Sequence, residues 1–453
     1  MTIDPAELAD VTAALWEANL AFARRYPGDR GASQPVHTFI EGAQHFAADV
    51  AARRGAQALE ALDAYAGTVA TFGTALGLST HPSLELIERR VREKLAREPI
   101  EDYRIDFEDG FGVRSDADED ARVDMVAEEI ARGKRAGALA ASIGVRIKAL
   151  TDELHERSVR TLDRLITALV RADALPSEWI VTVPKVTVIQ QVDYIVSVLA
   201  ALERSLDLRR GTLRFEIMVE VPQAIIDASG RSLLPRMLDA SDGRLTAIAF
   251  GTYDYTAACG ITAAYQRLRH PACDFAKHMI QAAFAGTGVQ IADGSTAFLP
   301  MPIHHGDVSL LSDAQRAENT AAIHAGWLVH FADVRHSLAG GFFQGWDLHA
   351  AQLVSRYAAV ASFYLEGVEL AGARLKTFLN RAANAKLVGG MLDEPATGQG
   401  LLGFFLRGVS AGALTEAQAL ELTGLTASEL RDGSMVSILR RRGLAPGDAP
   451  ISR

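Results

Sequence analysis

Residues 38–46 read TFIEGAQHF. The β-branched and aromatic run Pro35 to Ile40 (PVHTFI) has strand composition, and Gly42 closes it before Ala-rich helical sequence. A dinucleotide-type open sheet would carry a glycine-rich phosphate turn at this point, and TFIEGAQHF has none. Downstream, short strand patterns alternate with helical ones. The strand patterns are Tyr103 to Phe107 (YRIDF), Ser142 to Lys148 (SIGVRIK), Trp179 to Pro184 (WIVTVP), Leu213 to Val221 (LRFEIMVEV), Leu245 to Gly251 (LTAIAFG) and Gly288 to Ala292 (GVQIA), with Ala339 to Gly345 (AGGFFQG) as a weaker last member. Strands separated by helices pair in parallel through right-handed crossovers, and eight such units close without an edge strand. The expected fold is a (β/α)8 barrel.

Working outward, Leu8, Val11, Leu15, Leu20 and Phe22 recur at helical spacing after the capping pair Asp4-Pro5, which predicts an N-terminal helical segment over residues 1–34. The barrel is expected over 35–360, with a helical insertion of two helices at about 43–98. A C-terminal helical extension over 361–453 follows, with a flexible joint at Gly389 to Gly403 and an end near Arg442.

Composition narrows the function classes. The 453 residues carry 46 Lys and Arg against 56 Asp and Glu, a formal charge of −10, which argues against a general nucleic-acid surface. Two cysteines, Cys259 and Cys273, build neither a disulfide framework nor a zinc cluster. The N-terminus is acidic where a signal peptide is basic, and no long uninterrupted apolar stretch occurs, so the expectation is a cytoplasmic protein without a membrane partner.

Barrel enzymes do their chemistry at the C-terminal strand ends. There the sequence delivers Glu108-Asp109, Arg146, Lys185, Glu220, Asp254, Asp293, and Asp347 with His349. One carboxylate after a strand is usually a helix cap or a solvated loop residue. Capping does not account for acids and bases on successive ends of one mouth, nor for Glu220 inside the apolar run IMVEV. Glu220 and Asp254 follow consecutive strands and can meet across one strand spacing of about 4.8 Å. Two carboxylates plus waters suit Mg2+ or Mn2+. Arg146 can clamp a small acid's carboxylate with two parallel bonds.

The runs IDFEDG (105–110), GVRIK (144–148), VPKV (183–186), IMVEVPQAI (217–225), FGTYDYTAACG (250–260) and GWDLHAAQL (345–353) resemble the HpcH/HpaI aldolase and citrate lyase β-subunit superfamily, which includes malyl-CoA lyases and is related to malate synthases. The resemblance implies a barrel of the phosphoenolpyruvate/pyruvate-binding type. It implies a divalent metal on Glu220 and Asp254, with Arg146 on the substrate's carboxylate and carbonyl oxygen. Glu108 and Asp109 would be the acidic pair beside the metal waters, and Lys185 an electrostatic or structural group. The residues Val221-Pro222 after the metal glutamate, the GTYDYT motif and the tail GWDLHAAQ depart from the usual pattern and mark a divergent, larger subgroup.

The expected activity is a Mg2+- or Mn2+-dependent carbon–carbon lyase or aldolase acting on a 2-oxo acid or its hydroxyacyl adduct, with a coenzyme A thioester as a further candidate. Asp347 is the candidate proton-transfer residue, with His349 as its alternative. An acyl-thioester hydrolase and a non-catalytic binding subunit are the competing classes. The Ala-rich amphipathic tail and the family precedent lead us to expect a homo-oligomer.

Overall fold

The computed structural model describes residues 5–28, 34–381, 386–388, 391–393 and 395–442. Eight parallel strands close in chain order: β1 (His37–Gly42), β2 (Asp102–Asp106), β3 (Ser142–Arg146), β4 (Trp179–Val183), β5 (Arg214–Val219), β6 (Leu245–Phe250), β7 (Gln290–Ser295) and β8 (Gln344–Asp347). β1 pairs with both β2 and β8, so the sheet has no open edge. The chain is a (β/α)8 barrel.

Outward-facing strand residues such as Tyr103, Ile105, Phe215 and Ile217 are buried beneath the surrounding helices. Between β1 and β2 there are three helices rather than two, Val50–Ala66, Val69–Ala75 and Leu84–Arg97. Thr68 makes the extra break, because its side chain and that of Thr71 cap each other's backbone N–H and start a new helix one residue later. The last strand begins at Gln344, later than its pattern suggests, because the preceding helix Asp313–Ala339 runs on to Ala339 and turns through Gly340 and Gly341. Gly341 has φ +85°, a conformation that suits glycine.

After β8, the helix Gln352–Leu365 is buried along nearly its whole length, packed against Asp313–Ala339 and Leu84–Arg97. Of the stretch read as a joint, residues 389, 390 and 394 lie outside the described residues, and Pro395–Ser410 is a helix that buries Leu401, Leu402 and Phe405. The N-terminal helix Ala9–Arg25 has no buried residue and leaves Leu8, Val11, Leu15, Trp16 and Phe22 exposed.

The barrel interior is layered. Strand side chains alternate, so Asp102, Arg104 and Asp106 of β2 share one face, as do Glu216, Met218 and Glu220 along β5 and beyond it. Deep inside, Arg104 donates to Asp102 at 2.5 Å, to Glu216 at 2.9 Å and to Thr182 at 3.1 Å. Thr38 and Gln344 extend the network through bonds of 2.8 Å. Gly144 makes room for it, since a Cβ there would stand 3.2 Å from the Arg104 guanidinium and 2.0 Å from the Ile180 carbonyl oxygen. Above this layer, Ile40, Met218, Ala249, Ala292 and Trp346 form an apolar plug.

Removing one partner of a buried ion pair strands the others without water. Arg104→Met is expected to lower the unfolding free energy by about 3–5 kcal/mol in urea titration. A loss below about 1 kcal/mol, the range of exposed pairs, would mean that the interior network is solvated.

Candidate active site

Above the apolar plug the strand ends bring charged groups together. Arg146 ends β3, and its guanidinium donates from Nε and Nη2 to the two Asp106 oxygens at 2.7 and 2.6 Å. Asp106 also accepts from the backbone N–H groups of Glu108 at 2.9 Å and Gly110 at 2.7 Å, which fixes the loop after β2. This leaves the Nη1–Nη2 end of the guanidinium toward the mouth, with Nη1 3.4 Å from Glu108 and 3.8 Å from the Met218 sulfur. The paired carboxylates outweigh burial and hold Arg146 above its ordinary pKa.

Lys185 follows β4 with φ +52°, a backbone conformation that side-chain-bearing residues seldom adopt. That twist turns its N–H onto Glu220 Oε1 at 2.6 Å. Its ammonium group meanwhile pairs with Glu108, stands 3.1 Å from Asp109 and lies 3.7 Å from Asp254. Glu220 is 1% exposed. Burial pushes its carboxyl up to about 8, with the Asp254 charge adding to the rise and Lys185 and Arg146 opposing it. Burial also raises Glu108 against the pull of Arg146 and Lys185, whereas at Asp109 the Lys185 charge overcomes burial and lowers the carboxyl. Lys185 itself is held above its ordinary range, where Glu108, Glu220 and Asp109 outweigh the effect of burial.

Arg146, Glu108, Asp109, Lys185, Glu220 and Asp254 thus form one interacting cluster. Among the described residues, no three His, Cys, Asp or Glu side chains stand in metal-ligating geometry. The fit to a divalent ion rests on two other observations. The donor set of Glu220 and Asp254 consists of hard carboxylate oxygens, the ligand type that Mg2+ and Mn2+ prefer. A cation already sits among these carboxylates in the form of the Lys185 ammonium. Space beside Glu220 is kept by Gly251, where a Cβ would lie 2.6 Å from the carboxylate oxygen Oε2.

Asp347 is elsewhere, and the proton-transfer role expected of it is withdrawn. Its neighbour Trp346 points into the interior plug, so Asp347, one residue on, faces the helical layer. There its fully buried carboxylate accepts from Arg356 at 2.8 Å, with His330 and His37 at 3.0 and 3.1 Å. Burial opposes its charge, but Arg356, aided by the two histidines, holds the carboxyl well below the usual range. Asp293 also faces the helices, accepting from Lys277 at 3.1 Å and Ser337 at 2.6 Å. His349 spends Nδ1 on the Ala351 N–H at 3.2 Å, and burial lowers its pKa. Asp106 is the site residue that the sequence reading missed. The available signal was the polar series 102, 104, 106 in a strand buried on both faces.

Residues 15–438 match the family model DUF6986, described as a domain of unknown function. The chain belongs to that family. Comparison with curated proteins gives no match. Solved structures similar to this DUF6986 chain include a citrate lyase from Burkholderia xenovorans (19% identity, 75% of this chain and 92% of that one, TM-score 0.49). They also include a Haloferax volcanii malate synthase (13% identity, 89% and 98%, TM-score 0.46). A third is an HpcH/HpaI aldolase/citrate lyase family protein from Burkholderia cenocepacia (12% identity, 76% and 96%, TM-score 0.37).

Because the folded pKa of Asp347 is depressed, its contribution to stability is present above the unfolded carboxylate value, about 4, and is lost as pH falls further. Asp347→Asn is therefore expected to cost about 3 kcal/mol of stability near neutral pH and to flatten the acid limb of the stability curve. Denaturant titrations across pH measure both effects. Wild-type acid sensitivity in the variant would assign the limb to other groups.

Proposed function

We propose that this DUF6986 member is a divalent-metal-dependent carbon–carbon lyase or aldolase acting on a 2-oxo acid or its hydroxyacyl adduct. The observation that carries the reading is the convergence of Arg146, Glu108, Lys185, Glu220 and Asp254 at the C-terminal strand ends, over an apolar floor. The likeness of six sequence motifs to the HpcH/HpaI and citrate lyase group supports the same reading.

In this reading Glu220 and Asp254 hold Mg2+ or Mn2+, which when bound supplies positive charge to polarise a carbonyl or alkoxide oxygen. Arg146, immobilised by Asp106, presents its free end to the substrate carboxylate and orients the acid without reorganising. The fixed guanidinium also stabilises negative charge that develops on the substrate oxygen as the carbon–carbon bond is made or broken. Ile40, Met218, Ala249, Ala292 and Trp346 exclude water from below. Glu108 lies between Arg146 and Lys185 with its carboxyl raised by burial, and it takes the proton-transfer role in place of Asp347, whose carboxylate faces Arg356, His330 and His37. The exposed apolar residues of helix Ala9–Arg25 support a homo-oligomer as part of the same proposal.

Calorimetric titration with Mn2+ and Mg2+, in the presence of glyoxylate, pyruvate or oxaloacetate, is the test. Glu220→Ala and Asp254→Ala are expected to abolish metal binding, and unchanged binding in both would refute the assignment. Arg146→Lys is expected to keep metal binding but weaken 2-oxo acid binding by about 2 kcal/mol, roughly 30-fold in Kd. Equal acid affinity would remove the clamp. Product analysis decides the class: a lyase releases a free aldehyde or 2-oxo acid, whereas release of thiol from an acyl thioester without either product would point to a hydrolase.

A further inference from the structure

The mouth brings together five carboxylates, Asp106, Glu108, Asp109, Glu220 and Asp254, and two cations, Arg146 and Lys185, which differ in how firmly they are held. Arg146 is pinned by two bonds to Asp106 and lies almost wholly buried. Lys185 is bound at both ends in a different way. Its backbone N–H is tied to Glu220 at 2.6 Å, while its flexible side chain, 27% exposed, crosses the mouth to Glu108, Asp109 and Asp254. The backbone anchor and the ammonium therefore reach both residues proposed to hold metal. A Mg2+ or Mn2+ ion held by Glu220 and Asp254 would draw on the same carboxylate oxygens. The ammonium, 3.7 Å from an Asp254 oxygen, would then be a second cation beside the same carboxylates.

Resting on the metal reading above, we propose that Lys185 is a tethered counter-ion that occupies the carboxylate cluster in the metal-free protein and must swing out to solvent when a divalent ion binds. The lysine neutralises carboxylates that would otherwise repel one another, so the site is organised before metal arrives. It also makes metal binding an exchange of one cation for another, which lowers affinity. Arg146 cannot make this move, because leaving would strand the buried Asp106 carboxylate. The four methylenes of Lys185 and its partial exposure give it a path outward.

Two measurements test this on the full-length protein. In the first, the rate of reductive methylation at Lys185 is followed by mass spectrometry with and without Mn2+. Displacement predicts faster labelling when Mn2+ is present, and an unchanged or slower rate overturns the proposal. In the second, Mn2+ is titrated calorimetrically into wild type and Lys185→Met, with Lys185→Arg as a variant that keeps the charge. Lys185→Met is expected to bind Mn2+ about tenfold more tightly and Lys185→Arg at or below the wild-type affinity. Equal or weaker binding by Lys185→Met overturns the proposal. Methionine is unbranched like lysine, so it adds no crowding at the left-handed backbone position. Should that variant fail to fold, the labelling experiment on wild type still decides.

Glu220→Ala and Asp254→Ala keep the two levels apart. Mn2+ binding that survives both removes the metal reading itself. Binding that requires both carboxylates but is indifferent to Lys185 overturns only the lysine's role.

Discussion

A closed barrel has a narrow interior, and every strand must send alternate side chains into it and the others out beneath the helices. That alternation governs everything else in this molecule. Along β2 it puts Asp102, Arg104 and Asp106 inside, and continuing β5 by one residue carries Glu216, Met218 and Glu220 up the same face. At the end of β8 it puts Trp346 inside and Asp347 outside. Two carboxylates at the ends of strands in one barrel thereby receive opposite fates, one in the mouth and one in a structural ion cluster.

Charges inside so small a space persist only with partners. At the base, Arg104 is shared between Asp102 and Glu216; beneath the helices, Arg356, His37 and His330 surround Asp347. Both clusters are self-contained. The mouth is different, because its Lys185 ammonium is partly solvated and Asp254 and Asp109 remain substantially exposed. A cluster that is paired yet open to solvent is where a charged ligand can exchange for a resident group.

The strands were readable because strand composition and helix composition alternate clearly along the chain. The errors lie where one local signal outweighs the pattern. The Thr68–Thr71 capping pair splits a helical run into two, and the helix ending at Ala339 delays the last strand. At the site, Glu108, Asp109, Arg146, Lys185, Glu220 and Asp254 were legible as polar residues interrupting apolar strand ends. The pattern YRIDF shows Asp106 only as a strand residue, and a last strand read as ending at Gly345 puts Asp347 beyond it at the mouth, whereas Asp347 is the final residue of β8 and faces outward.

By itself the sequence determined the number and order of the barrel strands and the residue types delivered to their C-terminal ends, because hydrophobic periodicity and chain connectivity are local properties; the short antiparallel pair Lys386–Val388 and Met391–Asp393, in a tail expected to be wholly helical, it did not signal. Only the tertiary structure decided which of those residues meet. Facing direction at β8, the two-bond hold of Asp106 on Arg146, and the placement of Lys185 among carboxylates from separate strands depend on how eight strands close around a shared interior. Contacts between residues distant along the chain are set by that closure, and no local pattern encodes them.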